Sequence, residues 1–181
     1  MCLWSTRTID GNFGLAIEFG AMGDLDRMCT IAGDIETGGV LIGRYSPDLA
    51  TAIVSEATPP PPDSEQGPAW FIRGVVGLRE KFKRRWRSKE RTYYLGEWHF
   101  HPTANVEPSQ EDIAQMSKIC HDLNYHCGEP VLLIAGKSND DQERVYRAFV
   151  FPRGNRYMEL LRLSSEEMHS QGAISGSSIR P

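Results

Sequence analysis

The stretch Thr92-Tyr-Tyr-Leu-Gly-Glu-Trp-His-Phe-His101 is rich in β-forming residues, and Pro102 ends it. Side chains at alternate positions of a strand share one face. His99 and His101 are therefore expected to project together, while Phe100 points to the other face. Two imidazoles on one face can present their nitrogens to one metal ion.

A helix is predicted to begin shortly after this strand. Ser109 follows His101 after seven intervening residues and has the chemistry of a helix N-cap, and apolar residues then recur at helical spacing. Asp112, three residues after Ser109, should share the face of the first helical turn. Capping alone would explain Ser109, and the helix dipole alone would explain Asp112. Neither explains both together with the paired histidines, so the pattern indicates a site.

The ligand types predict zinc. Two histidine nitrogens and a carboxylate oxygen are zinc ligands, and a set of three, here His99, His101 and Asp112, leaves the fourth tetrahedral position open. Open sites are typical of catalytic zinc, whereas structural sites have four protein ligands. We therefore expect one Zn²⁺ per chain and a hydrolytic reaction, for which a further carboxylate must take and return a proton.

Spacing alone does not choose that carboxylate. The candidates in the sequence are Glu18, Glu36, Glu56, Glu97 and Glu107. Glu97 lies in phase with the two histidines on the predicted strand. It is therefore also a candidate for a residue that contacts a metal-bound histidine without binding the metal. His121 and His126 lie beyond the pattern and are expected on the surface.

Outward from this stretch, β and helical periodicities interleave. Strands are predicted at residues 13–19, 37–43, 50–55, 92–101, 130–135 and 145–151, and helices at about 25–35, at 71–88 and from Ser109. Turn residues 46–48 make the second and third strands a hairpin, and residues 139–141 form another turn. The proline run at 59–62 should leave the sheet as a surface loop. The fold class is therefore α+β, a mixed sheet flanked by helices, with the helix at 71–88 as an insertion before the metal-binding strand.

Length and composition are those of one soluble domain. The chain has 181 residues, 40% hydrophobic and 24% charged. We expect a single domain over residues 1–163 and a flexible tail, rich in serine and glycine, over 164–181. No apolar run approaches the roughly 18 residues of a membrane span, so a cytoplasmic location is expected. The four cysteines form no Cys-x-x-Cys pair, which argues against a zinc ribbon or a thioredoxin-type site.

The charge is unevenly distributed. Residues 79–91 carry eight basic and two acidic side chains, a local charge of +6 in a chain whose net charge is −4. Such a segment is commonly the solvated face of a helix, but it could also meet an acidic partner or nucleic acid. Nucleic acid is not the partner that we expect.

The motif resembles that of the JAMM metallopeptidases, also called the MPN-plus or JAB domain. The family signature is an upstream Glu, then His-x-His-Pro, then after seven residues Ser-x-x-Asp. Residues that match it are Glu36, His99, His101, Pro102, Ser109 and Asp112. Glu36-Thr-Gly-Gly-Val-Leu-Ile-Gly43 also looks like the family, whereas Phe100 departs from its usual small Ser or Thr. The resemblance covers about residues 13–152 and implies an MPN/JAB-like, cytidine-deaminase-like fold.

The resemblance also implies roles and a substrate. Glu36 would be the general base and acid, and Ser109 would hydrogen-bond the substrate carbonyl. Members of the family hydrolyse the bond after the C-terminal glycine of a ubiquitin-like modifier or of a protein conjugated through its C-terminus. The chain looks like the prokaryotic branch, similar to deconjugases of CBASS antiphage operons, where the conjugated partner is a cGAS-like nucleotidyltransferase. The alternatives are a processing protease for a sulfur-carrier or ubiquitin-like precursor and a nucleic-acid-binding JAB-fold protein.

Overall fold

The computed structural model describes residues 2–137 and 144–162 and is organised around an eight-stranded sheet that closes on itself. The order of strands around the barrel is β1-β10-β9-β8-β7-β3-β4-β2. The elements are β1 (Cys2–Arg7), β2 (Gly14–Glu18), α1 (Phe19–Ala32), β3 (Thr37–Tyr45), β4 (Thr51–Ala57), β5 (Glu65–Gly67), β6 (Trp70–Ile72), α2 (Leu78–Arg87), β7 (Tyr93–His101), α3 (Gln110–His121), a 3-10 turn (Leu123–Tyr125), β8 (Val131–Lys137), β9 (Arg144–Val150) and β10 (Met158–Arg162).

Strand β7 lies between an antiparallel and a parallel neighbour. It pairs antiparallel with β3, where Gly38 opposes His99, and parallel with β8, where Ile134 opposes His99. The strand is therefore held on both edges along the length that carries the histidines. A rigid strand of this kind fixes the spacing of the side chains that it presents.

Two apolar clusters pack on the two faces of these central strands. One contains Trp98 and Phe100 together with residues of α1, and the other contains Val40 and Ile134 together with Met116 of α3. Alternation along β7 thus sends Trp98 and Phe100 into the first cluster, as predicted for Phe100. None of the helices in the described ranges is long and apolar enough to cross a membrane.

The α+β class, the mixed sheet and the flanking helices are confirmed. Three predictions about elements need correction. The sheet closes into a barrel because β1 joins β2 to β10, and neither β1 nor β10 was predicted. A short hairpin of β5 and β6 follows the proline run, where no strand was predicted. The predicted turn at 139–141 and the tail at 164–181 lie outside the described residues.

The third correction concerns the helix expected at 71–88, which begins only at Leu78. Phe71 and Val75 recur at helical spacing, but the Asp63 carboxylate accepts hydrogen bonds from the backbone N–H groups of Val75 and Val76. These bonds hold the chain in a loop. Gly77 then adopts a positive φ of 83°, which side-chain-bearing residues rarely adopt, and the helix starts immediately after it.

Candidate metal centre

Strand β7 and the start of α3 bring the candidate ligands together. His99 Nδ1 lies 2.7 Å from Asp112 Oδ1, and His101 Nε2 lies 3.9 Å from Asp112 Oδ2. One nitrogen or oxygen from each of the three residues falls within 4.8 Å of the others. The predicted ligand set thus converges from two elements that are eight residues apart in sequence.

The N-terminus of α3 fixes Asp112. The Ser109 hydroxyl accepts a hydrogen bond of 3.0 Å from the Asp112 backbone N–H, and Asp112 Oδ2 accepts one of 2.8 Å from the Ser109 backbone N–H. This reciprocal pair is a capping box. It satisfies two otherwise unpaired donors and leaves Asp112 Oδ1 pointing at His99.

The donor set fits zinc. His101 Nδ1 lies 3.0 Å from the Asn105 carbonyl oxygen, and this contact directs Nε2 toward Asp112. Two imidazole nitrogens and a carboxylate oxygen are a zinc ligand set, and three protein ligands leave one position for solvent or substrate. His99 and Asp112 are buried, His101 is partly buried, and all three line one cleft.

Burial and the contact between His99 and Asp112 shift the pKa values of both side chains. Burial lowers the pKa of His99, but the hydrogen bond to Asp112 and the charge of Glu97 outweigh it and raise the pKa to about 9. Burial raises the pKa of Asp112, and the contact with His99 and the capping bonds outweigh that effect, so the pKa falls to about 2. Without a metal, the two side chains therefore form an ion pair at neutral pH.

Glu36 lines the same cleft as this cluster. The cleft has a volume of about 610 Å³, and its lining includes Glu36, His99, His101, Ser109 and Asp112. All five site residues predicted from the sequence thus meet at one place. Glu36 immediately precedes β3, and its backbone N–H donates to the Gly67 carbonyl at 2.8 Å, which joins it to the β5–β6 hairpin. Burial raises the pKa of Glu36 above its ordinary value, partly opposed by His101.

Three of the competing carboxylates are held in ion pairs. Glu18 pairs with Arg44, Glu56 pairs with Lys81 and Arg85, and Glu107 pairs with Arg147. Glu97 faces His99, as its phase on the strand predicted, but it is completely buried and does not line the cleft. His121 and His126 are exposed, as expected.

Sequence reasoning missed several residues around the site. Arg73 and Gln115 contact Glu97, and the Phe71 ring packs edge-on against His99 with ring centroids 5.4 Å apart. Gly38 is required by this packing, since a Cβ atom there would lie 2.6 Å from Phe71 Cε1 and 2.9 Å from His99 Cδ2. Gly38 belongs to the Thr-Gly-Gly stretch that the sequence singled out, but the residues that it packs against are determined by the tertiary structure.

Three comparisons identify relatives. The family model described as prokaryotic homologs of the JAB domain matches residues 28–152. A protein of Enterobacter hormaechei subsp. hoffmannii (strain UCI 50), named CD-NTase/cGAS isopeptidase, is 46% identical over 134 residues, which are 73% of this chain and 72% of that protein. The solution structure of protein DSY2949 from Desulfitobacterium hafniense superposes with a TM-score of 0.55 at 23% identity, covering 79% of this chain and 87% of that chain, and shows likeness of fold alone.

The matched family region contains Glu36, the complete β7 motif and α3, so the family resemblance and the geometry concern the same part of the chain. The relative's identity extends over most of the described fold. The chain belongs to the prokaryotic JAB-domain family.

Proposed function

We propose that this chain is a zinc-dependent isopeptidase that hydrolyses the bond after the C-terminal glycine of a ubiquitin-like modifier or of a protein conjugated through its C-terminus. The name of the relative that is 46% identical, CD-NTase/cGAS isopeptidase, supports this reaction and favours a conjugated cGAS-like nucleotidyltransferase as substrate. The similarity to CBASS deconjugases extends the proposal to antiphage defence.

The observation that carries the proposal is the position of Glu36. It lines the same cleft as three convergent zinc-type ligands, and it is not one of them. A carboxylate beside a metal but outside its ligand set is what hydrolysis needs, because a proton must leave the attacking water and reach the departing amine.

The site residues then have distinct roles in the reaction. His99, His101 and Asp112 would hold zinc, which when bound supplies Lewis-acid chemistry that makes water nucleophilic at neutral pH. Glu36 accepts the proton of that water and returns it to the leaving amine. Its half-buried position raises its pKa and so makes it a better base than an exposed carboxylate.

Ser109 can serve the helix and the substrate together. Its oxygen accepts the capping bond from the Asp112 N–H, which leaves the hydroxyl hydrogen free to donate. Since Ser109 lines the cleft beside Asp112, that hydrogen can be given to the carbonyl oxygen on which negative charge develops during attack.

The test combines metal content with cleavage. The His99→Ala, Asp112→Ala double variant should lose the approximately one zinc per chain that the wild type carries. Glu36→Gln should keep zinc and lose cleavage of a glycine-linked conjugate by roughly 10²–10⁴-fold, because shape is kept and the proton acceptor is removed. Glu107→Gln is the matched control, since it changes a carboxylate that lines the same cleft.

The Glu36→Gln variant should also trap its substrate. Conjugates that remain bound to it can be isolated, and the junction can be sequenced for a C-terminal glycine joined to an amine. Full zinc occupancy in the double variant would contradict the ligand assignment. Near-normal cleavage by Glu36→Gln would transfer the proton role to another carboxylate.

A further inference from the structure

Glu97 is a completely buried carboxylate on the same face of β7 as His99 and His101. Arg73 Nε donates to its Oε1 at 2.7 Å, and Gln115 Nε2 donates to its Oε2 at 2.7 Å. The Tyr94 hydroxyl lies 3.4 Å from Oε1. Burying a carboxylate is costly unless it is paired and hydrogen-bonded, and both conditions are met here.

Arg73, which binds this carboxylate, is itself buried and hydrogen-bonded. Its side chain is only 4% exposed, and its other nitrogens donate to the Tyr125 hydroxyl at 2.8 Å and to the Gly74 carbonyl at 2.9 Å. Arg73 comes from the segment between β6 and α2, and Gln115 comes from α3. One segment that precedes β7 in the sequence and one that follows it therefore converge on the same carboxylate.

The ring of His99 faces this carboxylate with its second nitrogen. Nδ1 points at Asp112, while Nε2 is buried, has no hydrogen-bond partner among the described residues and lies 3.7 Å from Glu97 Oε2. A separation of 3.7 Å is too long for a hydrogen bond but needs only a small shift to become one. A histidine that gives one nitrogen to a metal carries its proton on the other, and that N–H requires an acceptor.

We propose that Glu97 is the acceptor that fixes the orientation and tautomer of His99, and that Arg73 and Gln115 are positioning residues that aim Glu97 at it. The inference rests on the proposed function only in taking His99 as a ligand. Arg73 directly follows Trp70, Phe71 and Ile72, which form one wall of the cleft. The cleft wall and the metal ligand are thus tied to the same buried carboxylate.

Zinc affinity, measured by competition with a chromophoric chelator, tests this role without any substrate. Glu97→Gln keeps the volume and removes the charge, and it should weaken zinc binding by roughly 10–100-fold, the usual effect of losing such a supporting contact. Glu56→Gln is the matched control, because Glu56 is also a carboxylate held in salt bridges, here with Lys81 and Arg85, and it does not line the cleft. It should bind zinc as the wild type does.

A double-variant comparison separates positioning from general structural support. If Arg73 acts through Glu97, Arg73→Met should weaken zinc binding in the wild-type background and change it little in the Glu97→Gln background. The visible spectrum of the cobalt-substituted protein should change in Glu97→Gln, since it reports ligand geometry, and should not change in Glu56→Gln. Should Glu97→Gln fail to fold, Glu97→Asp retains the charge and should show a smaller loss of affinity.

The outcomes are distinct from those for the proposed function. Folded Glu97→Gln, or Glu97→Asp in its place, with wild-type zinc affinity and an unchanged cobalt spectrum would overturn the inference and leave the isopeptidase proposal standing. A wild-type protein that binds zinc tightly but cleaves no glycine-linked conjugate would contradict the isopeptidase proposal and leave the role of Glu97 intact.

Discussion

His99 and Asp112 are the residue pair on which the site depends most. In protein stripped of metal, the pKa values of about 9 for His99 and about 2 for Asp112 keep both side chains charged across the neutral range. A metal must displace a proton from His99 to bind. Zinc affinity is therefore expected to rise with pH up to about 9.

The stability of the stripped protein should follow the opposite trend. The folded-state pKa of His99 lies above its ordinary value of 6.5, so its contribution is complete below pH 6.5 and is lost as the pH rises toward 9. The contribution of Asp112, whose pKa is lowered, is complete above its ordinary 3.8 and is lost only toward pH 2. We predict that the Tm of chelator-treated protein falls between pH 6.5 and 9.

The control for this pH prediction uses two histidine variants. His99→Gln should flatten the pH dependence, whereas His126→Gln, which changes an exposed histidine, should leave it as in the wild type. The Tm can be followed by calorimetry at each pH. A Tm that is constant from pH 6.5 to 9 would contradict the pairing of His99 with Asp112.

At the level of elements, the approach of β3 to β7 decides where His99 can sit. Gly38 opposes His99 across the two strands. A Cβ atom at Gly38 would lie 2.5 Å from the Trp98 carbonyl oxygen as well as against the rings of Phe71 and His99. The backbone oxygen cannot move without disturbing the ladder, and the rings of Phe71 and His99 would also have to shift.

Gly38→Ala is therefore predicted to lower zinc affinity and to destabilise the fold by about 1–3 kcal/mol, the usual cost of overpacking. Gly23→Ala is the matched control, because Gly23 lies on α1 and none of the described residues beyond its own helix backbone comes within 4 Å of its Cβ position. Removing a glycine from a helix should stabilise the protein by about 0.5–1 kcal/mol and leave zinc binding unchanged. Chelator competition and urea unfolding measure the two effects, and equal zinc affinities would refute the packing argument.

At the scale of the whole molecule, the basic helix and the metal centre lie at opposite ends of β7. Phe82 and Trp86 of α2 pack against Tyr94 and Tyr93 at the start of the strand, whereas the histidines are at its end. Six residues of strand separate Tyr93 from His99, a distance of roughly 20 Å. A ligand that touches both must span this distance, as the conjugated protein that we propose as substrate can.

We predict that the basic residues within 79–91 help to capture the substrate by attracting an acidic surface on it. Arg85 and Lys81 are paired with Glu56, so the exposed cations Arg79, Arg84 and Arg87 are the ones to reverse. Changing these three to Glu should lower kcat/KM for the conjugate by about tenfold or more at low ionic strength, because steering by charge is lost. Zinc content should stay unchanged.

Reversal of a single exposed arginine on α1, Arg27→Glu, serves as the comparison at another surface. The loss of kcat/KM in the α2 variant should shrink as salt is added, since screening removes the same attraction in the wild type. If kcat/KM at low salt is the same in both variants and the wild type, α2 is only a solvated face of the fold.

The sequence by itself determined the local units that carry the chemistry. Strand alternation placed His99 and His101 on one face of β7, and helix capping placed Ser109 and Asp112 on the first turn of α3. Both follow from backbone geometry over a few residues, which is why residues 97–112 were predictable. The family resemblance of the Thr-Gly-Gly context selected Glu36, which the spacing of residues alone left open.

Only the tertiary structure decided what surrounds those units. Closure of the sheet by β1 and β10, the β5–β6 hairpin and the contact of Arg73 with Glu97 join residues that are distant in sequence. Arg73 lies within the segment 71–88 that was predicted to be helical, yet its side chain is only 4% exposed and pairs with a carboxylate 24 residues later. Periodicity reports which face of an element is buried but not against what, so pairings that depend on complementary burial appear only when the chain is folded.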